Sequence, residues 1–307
     1  MTPNHSWHYQ PVEFESEGAT LRGRLYTPTD AEGPFPIVVM AHGFSATITM
    51  TIDHYAEAIC DSGFAALLYD HRNFGLSGGE PRQQINPWIQ ARGYRDALTF
   101  AGGRDIVDSN RLAIWGDSAS SAGALVVAAA DDRVKVVVIQ CPAFGPTIPE
   151  ADPTGTRFAQ IQETLLAGNV QATPDGIDDP MPVVSFDPIR HKSALEPLTA
   201  FNWFMSVGGR IGTNWLNDVT RARPNVPEPW NAVLCAPNVH QPTLVIVSPD
   251  DEIRGSNPVV ARAAYDAIPG TKKWVEIDGG HFGLLWYPGE LFDQASQTQR
   301  EFLIKYL

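Results

Sequence analysis

Ser118, His281 and the acidic run Asp250-Asp251-Glu252 are the residues whose types and spacing could do chemistry. A serine hydroxyl is a poor nucleophile at neutral pH. It needs a base to take its proton as it attacks, and the base needs an acid to orient it. Ser118 lies in Gly116-Asp117-Ser118-Ala119-Ser120, after the apolar run Leu112–Trp115 and before the small and apolar run Ser121–Ala130. That order predicts strand, sharp turn, helix, with Ser118 at the apex. Gly116 and Ser120 are small enough for the flanks of a strained turn to approach, the G-x-S-x-G logic with Ser in the last position. Small residues alone would also suit close helix–sheet packing, so the remaining groups must be found elsewhere in the chain.

The base expected is His281, behind Gly279-Gly280 and just past Trp274–Ile277, which reads as the last strand. The acid should follow the preceding strand, Leu244–Val247. Asp251 is the first choice, Asp250 the second and Glu252 the third. An oxyanion site belongs after Ile37–Ala41, where the chain reads His42-Gly43-Phe44. Its donors would be the backbone N–H groups of Phe44 and Ala119, with the positive end of the following helix behind them. His42 reads as a structural histidine bonded within its loop, and Cys141 as a packing residue.

These groups need a scaffold that brings strand ends together. Residues 11–28 alternate apolar and polar around Ser16-Glu17-Gly18, which predicts an antiparallel hairpin. Later runs are continuously apolar: Ile37–Ala41, Phe64–Tyr69, Leu112–Trp115, Val134–Ile139 and Leu244–Val247. Short runs without alternation suit strands buried on both faces. Helices are predicted over 51–61, 88–101, 118–130, 258–268 and 289–306. The alternation predicts an α/β fold with a mostly parallel, doubly wound sheet. Residues 143–240 break the rhythm and are rich in Pro, Gly and aromatics, Trp203 and Trp215 among them. They read as a cap inserted into a core of residues 1–142 and 241–307. Trp203, Trp215 and Phe282 are the expected substrate contacts.

Composition narrows the function. With 43% apolar residues a large core is expected, and a formal net charge of -13 argues against nucleic acid and anionic membrane surfaces. The three cysteines, Cys60, Cys141 and Cys235, form no disulfide framework. No signal peptide and no apolar run near ~20 residues is visible, so a cytoplasmic protein is expected. Nucleotide-binding and metal-binding motifs are missing, so no cofactor or metal is expected.

Together, His42-Gly43-Phe44, Tyr69-Asp70-His71-Arg72-Asn73-Phe74-Gly75-Leu76-Ser77, Gly116-Asp117-Ser118-Ala119-Ser120, Asp251 and His281 resemble the α/β-hydrolases in content and order. The second loop and the insertion are similar to the dienelactone-hydrolase-like and peptidase S15-like branch, which includes acyl-transferring enzymes of polyketide biosynthesis. The resemblance implies that Asp70 and Arg72 brace their turn. It implies a serine hydrolase acting on an ester, lactone or thioester. The rivals are an acyltransferase on the same scaffold and a ligand-binding protein that reuses the fold. The aromatic insertion points to an apolar or aromatic acyl substrate. The sequence leaves room for a homo-oligomer. Ser120 for Gly, and Arg254 where a small or apolar residue is common, depart from the family pattern.

Overall fold

The structure, a computed structural model, describes residues 6–307. Its centre is an eight-stranded sheet in the order β1-β2-β4-β3-β6-β7-β9-β10. β1 (Trp7–Ser16) and β2 (Ala19–Pro28) form the expected hairpin. Its turn residues Glu17 and Gly18 take φ of 49° and 73°, the left-handed pair that matches strand twist. β2 then pairs antiparallel with β4 (Ala65–Tyr69). From β4 onward the pairing is parallel, through β3 (Phe35–Ala41), β6 (Val107–Asp117), β7 (Val134–Gln140), β9 (Thr243–Val247) and β10 (Lys272–Glu276).

The uninterrupted apolar runs follow from this layout. Successive side chains of a strand point to opposite faces, and here both faces are covered. Ile37, Val39 and Ala41 join one core with α2 (Pro87–Gly102), α3 (Ala119–Ala130) and α6 (Pro258–Ala267). Val38 and Met40 join the other, with α1 (Ile52–Cys60) and α8 (Glu290–Tyr306). Helix starts are set locally. Asn86 accepts hydrogen bonds from the amides of Trp88 and Ile89 while Pro87 occupies the first turn of α2, and Asn257 accepts from the Val259 amide with Pro258 in the first turn of α6.

Between β7 and β9 the chain carries α4 (Thr156–Ala167), α5 (Leu198–Trp203) continued by a π turn at Phe204–Gly208, and a 3-10 turn at Val233–Asn238. Two short strands, β5 (Gln84–Ile85) and β8 (Thr220–Arg221), pair in parallel and tie this stretch to the loop after β4. The last short helix, α7 (Gly280–Gly283), follows β10.

Candidate active site

Ser118 stands where β6 ends and α3 begins, with φ 54° and ψ -119°. Such a backbone costs about 1–3 kcal/mol and persists only where its surroundings over-determine it. They do: the Ser118 amide donates to Gln140 O at 3.0 Å, and Ser118 O accepts from Ser121 N at 3.1 Å and Ala143 N at 3.0 Å. A β-carbon on Gly116 would lie 2.5 Å from Ser120 O, so glycine is required there. Ser120 is more than a small residue. Its Oγ accepts from the Asp117 amide at 2.8 Å and lies 3.0 Å from Ala41 O and 2.9 Å from Asp117 O. The hydroxyl thus fastens the elbow to the end of β3.

His281 is carried by α7, where Gly280 takes φ of 70° to turn the chain back over the sheet. Its Nε2 lies 2.9 Å from Ser118 Oγ and its Nδ1 lies 2.7 Å from Asp251 Oδ2. The second carboxylate oxygen of Asp251 accepts from Ile253 N at 2.9 Å. The other two acids have different partners. Asp250 accepts from the amides of Gly279 and Gly280 and from Ser248 Oγ. Glu252 accepts from the His281 amide at 2.8 Å and from Thr199 Oγ1. Of the three carboxylates, only that of Asp251 meets the imidazole ring.

Burial opposes charge on His281, but the Asp251 hydrogen bond and the negative charges of Asp251, Asp117 and Glu252 outweigh it and raise its pKa above the ordinary value. Asp117 is buried beside Ser118. Burial pushes its carboxyl up to about 6, against the pull of His281 and of Gln140. A directional chain reaches it: Trp115 Nε1 donates to Gln299 Oε1 (2.9 Å), Gln299 Nε2 to Gln140 Oε1 (2.8 Å), and Gln140 Nε2 to Asp117 Oδ1 (2.9 Å). Indole can only donate, which fixes both amides so that the chain ends with a donor on Asp117. No motif marks these glutamines. The hint in the sequence is Gln140 alone, an amide that follows the apolar run Val136–Ile139; Gln299 lies in the polar run Ser296–Glu301 and carries no signal.

His42 has the structural place expected. Its Nε2 accepts from the His71 amide at 3.1 Å, so Nδ1 carries the proton and donates to Gly43 O at 2.9 Å. Burial pushes its pKa down to about 4, and the ring stays neutral. The peptide is planar and trans, so holding Gly43 O toward His42 turns the Phe44 N–H the opposite way. Among the described residues, neither the Phe44 nor the Ala119 amide is taken by a turn or loop bond. Both residues line the cavity in front of Ser118. In the next loop, Asp70 accepts from Ile48 N and Leu76 N at 2.9 Å each. Arg72 differs from expectation: it reaches Glu80 O at 3.3 Å, while Arg82 gathers the carbonyls of Ser77 and Gly75.

The cavity holds about 760 Å³ and is lined by Ser118, His281, Phe282, Trp203, Phe204 and Met181 among others. Trp203 stacks on Phe282 with ring centroids 5.4 Å apart. Trp215 corrects the sequence reading. It is not among the residues that line the cavity and packs instead on Phe204, which is, with ring centroids 5.3 Å apart. Trp230 likewise packs on Trp88 of α2. Cys141 is buried within 4.8 Å of Asp251 and His281, and burial raises its thiol so that it stays protonated.

This order of groups lets an imidazole take the hydroxyl proton of Ser118 while a carboxylate holds the ring. The chain as a whole is similar to known proteins. The thiohydrolase apmlB of Arthrinium phaeospermum is 30% identical over 96% of this chain and 96% of its own length. The polyketide transferase af380 of Aspergillus fumigatus is 28% identical over 97% of this chain and 98% of its own. The structure of DcsB in complex with its substrate analogue superposes with a TM-score of 0.73 and 26% identity, covering 97% of this chain and 99% of that one. The profile of the family described as serine aminopeptidase S33 matches residues 32–282. The chain therefore belongs to this α/β-hydrolase family and is a serine hydrolase.

Proposed function

We propose that Ser118, His281 and Asp251 form a catalytic triad that cleaves a small-molecule thioester, ester or lactone through an acyl-enzyme. Ser118 Oγ attacks the carbonyl carbon as His281 Nε2 takes its proton. Asp251 holds the ring and stabilises the imidazolium as it forms. The oxygen that becomes negative is met by the amides of Phe44 and Ala119, each such donor worth roughly 3 kcal/mol in the transition state. His281 passes the proton to the leaving group. It then activates water, which releases the acid and restores Ser118. The observation that carries this reading is the unbroken chain Ser118–His281–Asp251, at 2.9 and 2.7 Å, opening onto a cavity of about 760 Å³.

The thioester is the preferred member of the substrate class because the relative matching the whole chain at 30% identity is named a thiohydrolase. The aromatic wall of Trp203, Phe204 and Phe282 favours an apolar or aromatic acyl group. We read residues 143–240 as a cap over that group, since Met181, Trp203 and Phe204 from this stretch face the cavity. Acyl transfer is the second reading, favoured by the transferase relative. In that reading an alcohol or amine replaces water at the acyl-enzyme. The three cysteines are all buried and free, and among the described residues no helix is long and apolar enough to cross a membrane.

The test is intact-protein mass spectrometry after incubation with activated acyl thioesters. An acyl adduct on Ser118, lost in Ser118→Ala together with about 10⁴–10⁶ in kcat, is the expected result. Full activity of Ser118→Ala would overturn the assignment. Product analysis with an added alcohol separates hydrolysis from transfer.

A further inference from the structure

The cavity mouth carries charge that the mechanism above does not use. The chain is acidic, with 22 Lys and Arg against 35 Asp and Glu. Elsewhere among the described residues nine arginines meet carboxylates, as Arg22 does on Glu13, Arg95 and Arg133 on Asp131, and Arg157 on Glu228, while others such as Arg82 and Arg111 bond backbone carbonyls instead. Lys192, Arg221 and Arg254 all line the cavity, and among the described residues none has a carboxylate partner. Arg221, on β8, lies over the Phe44 ring at 5.1 Å and reaches Ala194 O at 3.3 Å, which leaves most of its donors unused. Arg254 follows the acid loop and also lines an adjoining groove of about 380 Å³ with Thr147, Asn257, Asp251 and Glu252. Three carboxylates share the wall: Asp117 lies deep beside Ser118 and is held by Gln140, Glu252 is bonded to Thr199 and the His281 amide, and Glu196 completes the set, none of them paired with the three cations.

A cation without an ion-pair partner keeps its donors free, and three such side chains around one opening can each donate to an anion. The guanidinium fork matches carboxylate and phosphate oxygens. Deeper in, the wall is aromatic. We propose that the mouth of the cavity is an anion-recognition subsite, and that the enzyme selects substrates whose reacting carbonyl lies between an apolar acyl end and a carboxylate or phosphate group. This rests on Ser118 as the nucleophile and adds the substrate's second recognition element. Arg254 is a specificity-determining residue at this subsite.

Three thioesters of one acyl length test it: a neutral N-acetylcysteamine thioester, the matching phosphopantetheine thioester, and an N-acetylcysteamine thioester with a terminal carboxylate on the acyl chain. One of the two anionic substrates is expected to exceed the neutral one about tenfold in kcat/KM at low salt. The advantage should shrink at roughly 0.5 M salt. Which substrate gains says whether the anion sits on the leaving thiol or on the acyl group. In Arg254→Gln, and again in Lys192→Gln, the anionic-over-neutral ratio should fall toward one. No preference for either anion, or a ratio unmoved by both substitutions, overturns the subsite. Binding of phosphopantetheine and carboxyl-bearing amide analogues to Ser118→Ala, against neutral amides, reads the subsite without turnover. An intact anion preference there, with no acyl adduct on the native enzyme, would instead overturn the role of Ser118.

Discussion

Asp250 and Asp251 are neighbours with opposite duties. Asp251 meets the imidazole, whereas Asp250 pins the Gly279-Gly280 turn that presents it. Asp251→Asn should therefore cost about 10⁴ in kcat. Asp250→Asn, which keeps an acceptor oxygen, should cost far less. A direct comparison of the two rates checks the assignment. The pH dependence follows from the same contacts. His281 must be neutral to accept a proton, and its pKa is raised. Activity should thus fall as the pH drops through a value above the ordinary 6.5 of histidine. Asp251→Asn should move that acidic limb of kcat/KM to lower pH. Ser120 supplies another test. Ser120→Ala leaves the Asp117 amide buried without its acceptor, a loss of about 1–3 kcal/mol. Urea titration would measure it. Ser120→Gly should lose a similar amount, although it restores the residue usual in the motif.

The elements add what no single residue explains. The C-terminal helix α8 does not touch the substrate cavity, yet its Gln299 holds Gln140, which holds Asp117. Gln299→Leu would strand the Trp115 indole and the Gln140 carbonyl. A destabilisation of about 2–4 kcal/mol is expected from the two unpaired groups, again read by urea. The core strands and their helices were legible in the sequence because a strand buried on both faces must be apolar at every position. Ser118 and Asp251 were legible because each follows such a run, and His281 because it stands behind Gly279-Gly280 just past the last strand, although that strand, Lys272–Glu276, is polar and partly exposed. The glutamine chain was not, because its pairing joins residues far apart in sequence and has no period. Nor was the β5–β8 pair, since two-residue strands such as Gln84–Ile85 leave no pattern. The misplaced Trp215 has a similar cause. In an irregular segment, aromatic content says that something is buried but not which face it turns to the cavity.

For the molecule as a whole, buried ionisable groups pull stability in opposite directions. His42 and His71 are held neutral by burial, with pKa values below the ordinary range. The unfolded chain therefore binds protons there first, and this contribution weakens the fold as the pH falls below about 6.5. Asp70 and Asp117 are raised to about 6 by burial. Each binds its proton more tightly when folded, so each penalises the fold above about pH 6 and ceases to do so in acid. The two effects offset one another between neutral and mildly acidic pH. Asp117→Asn removes one carboxylate penalty and keeps an acceptor for Gln140. It should stabilise the protein by up to about 3 kcal/mol at pH 8. The gain should vanish near pH 4, as measured by urea titration at both pH values.

The parallel pair of β5 and β8 has a consequence for anyone recombining relatives of this enzyme. Thr220 and Ala222 donate to Gln83 and Ile85 through their amides, so the wall bearing Arg221 is built jointly by two distant parts of the chain. Exchanging residues 143–240 alone would deliver half of that wall onto a foreign shelf. A working chimaera has to carry the loop after β4 along with the segment it supports.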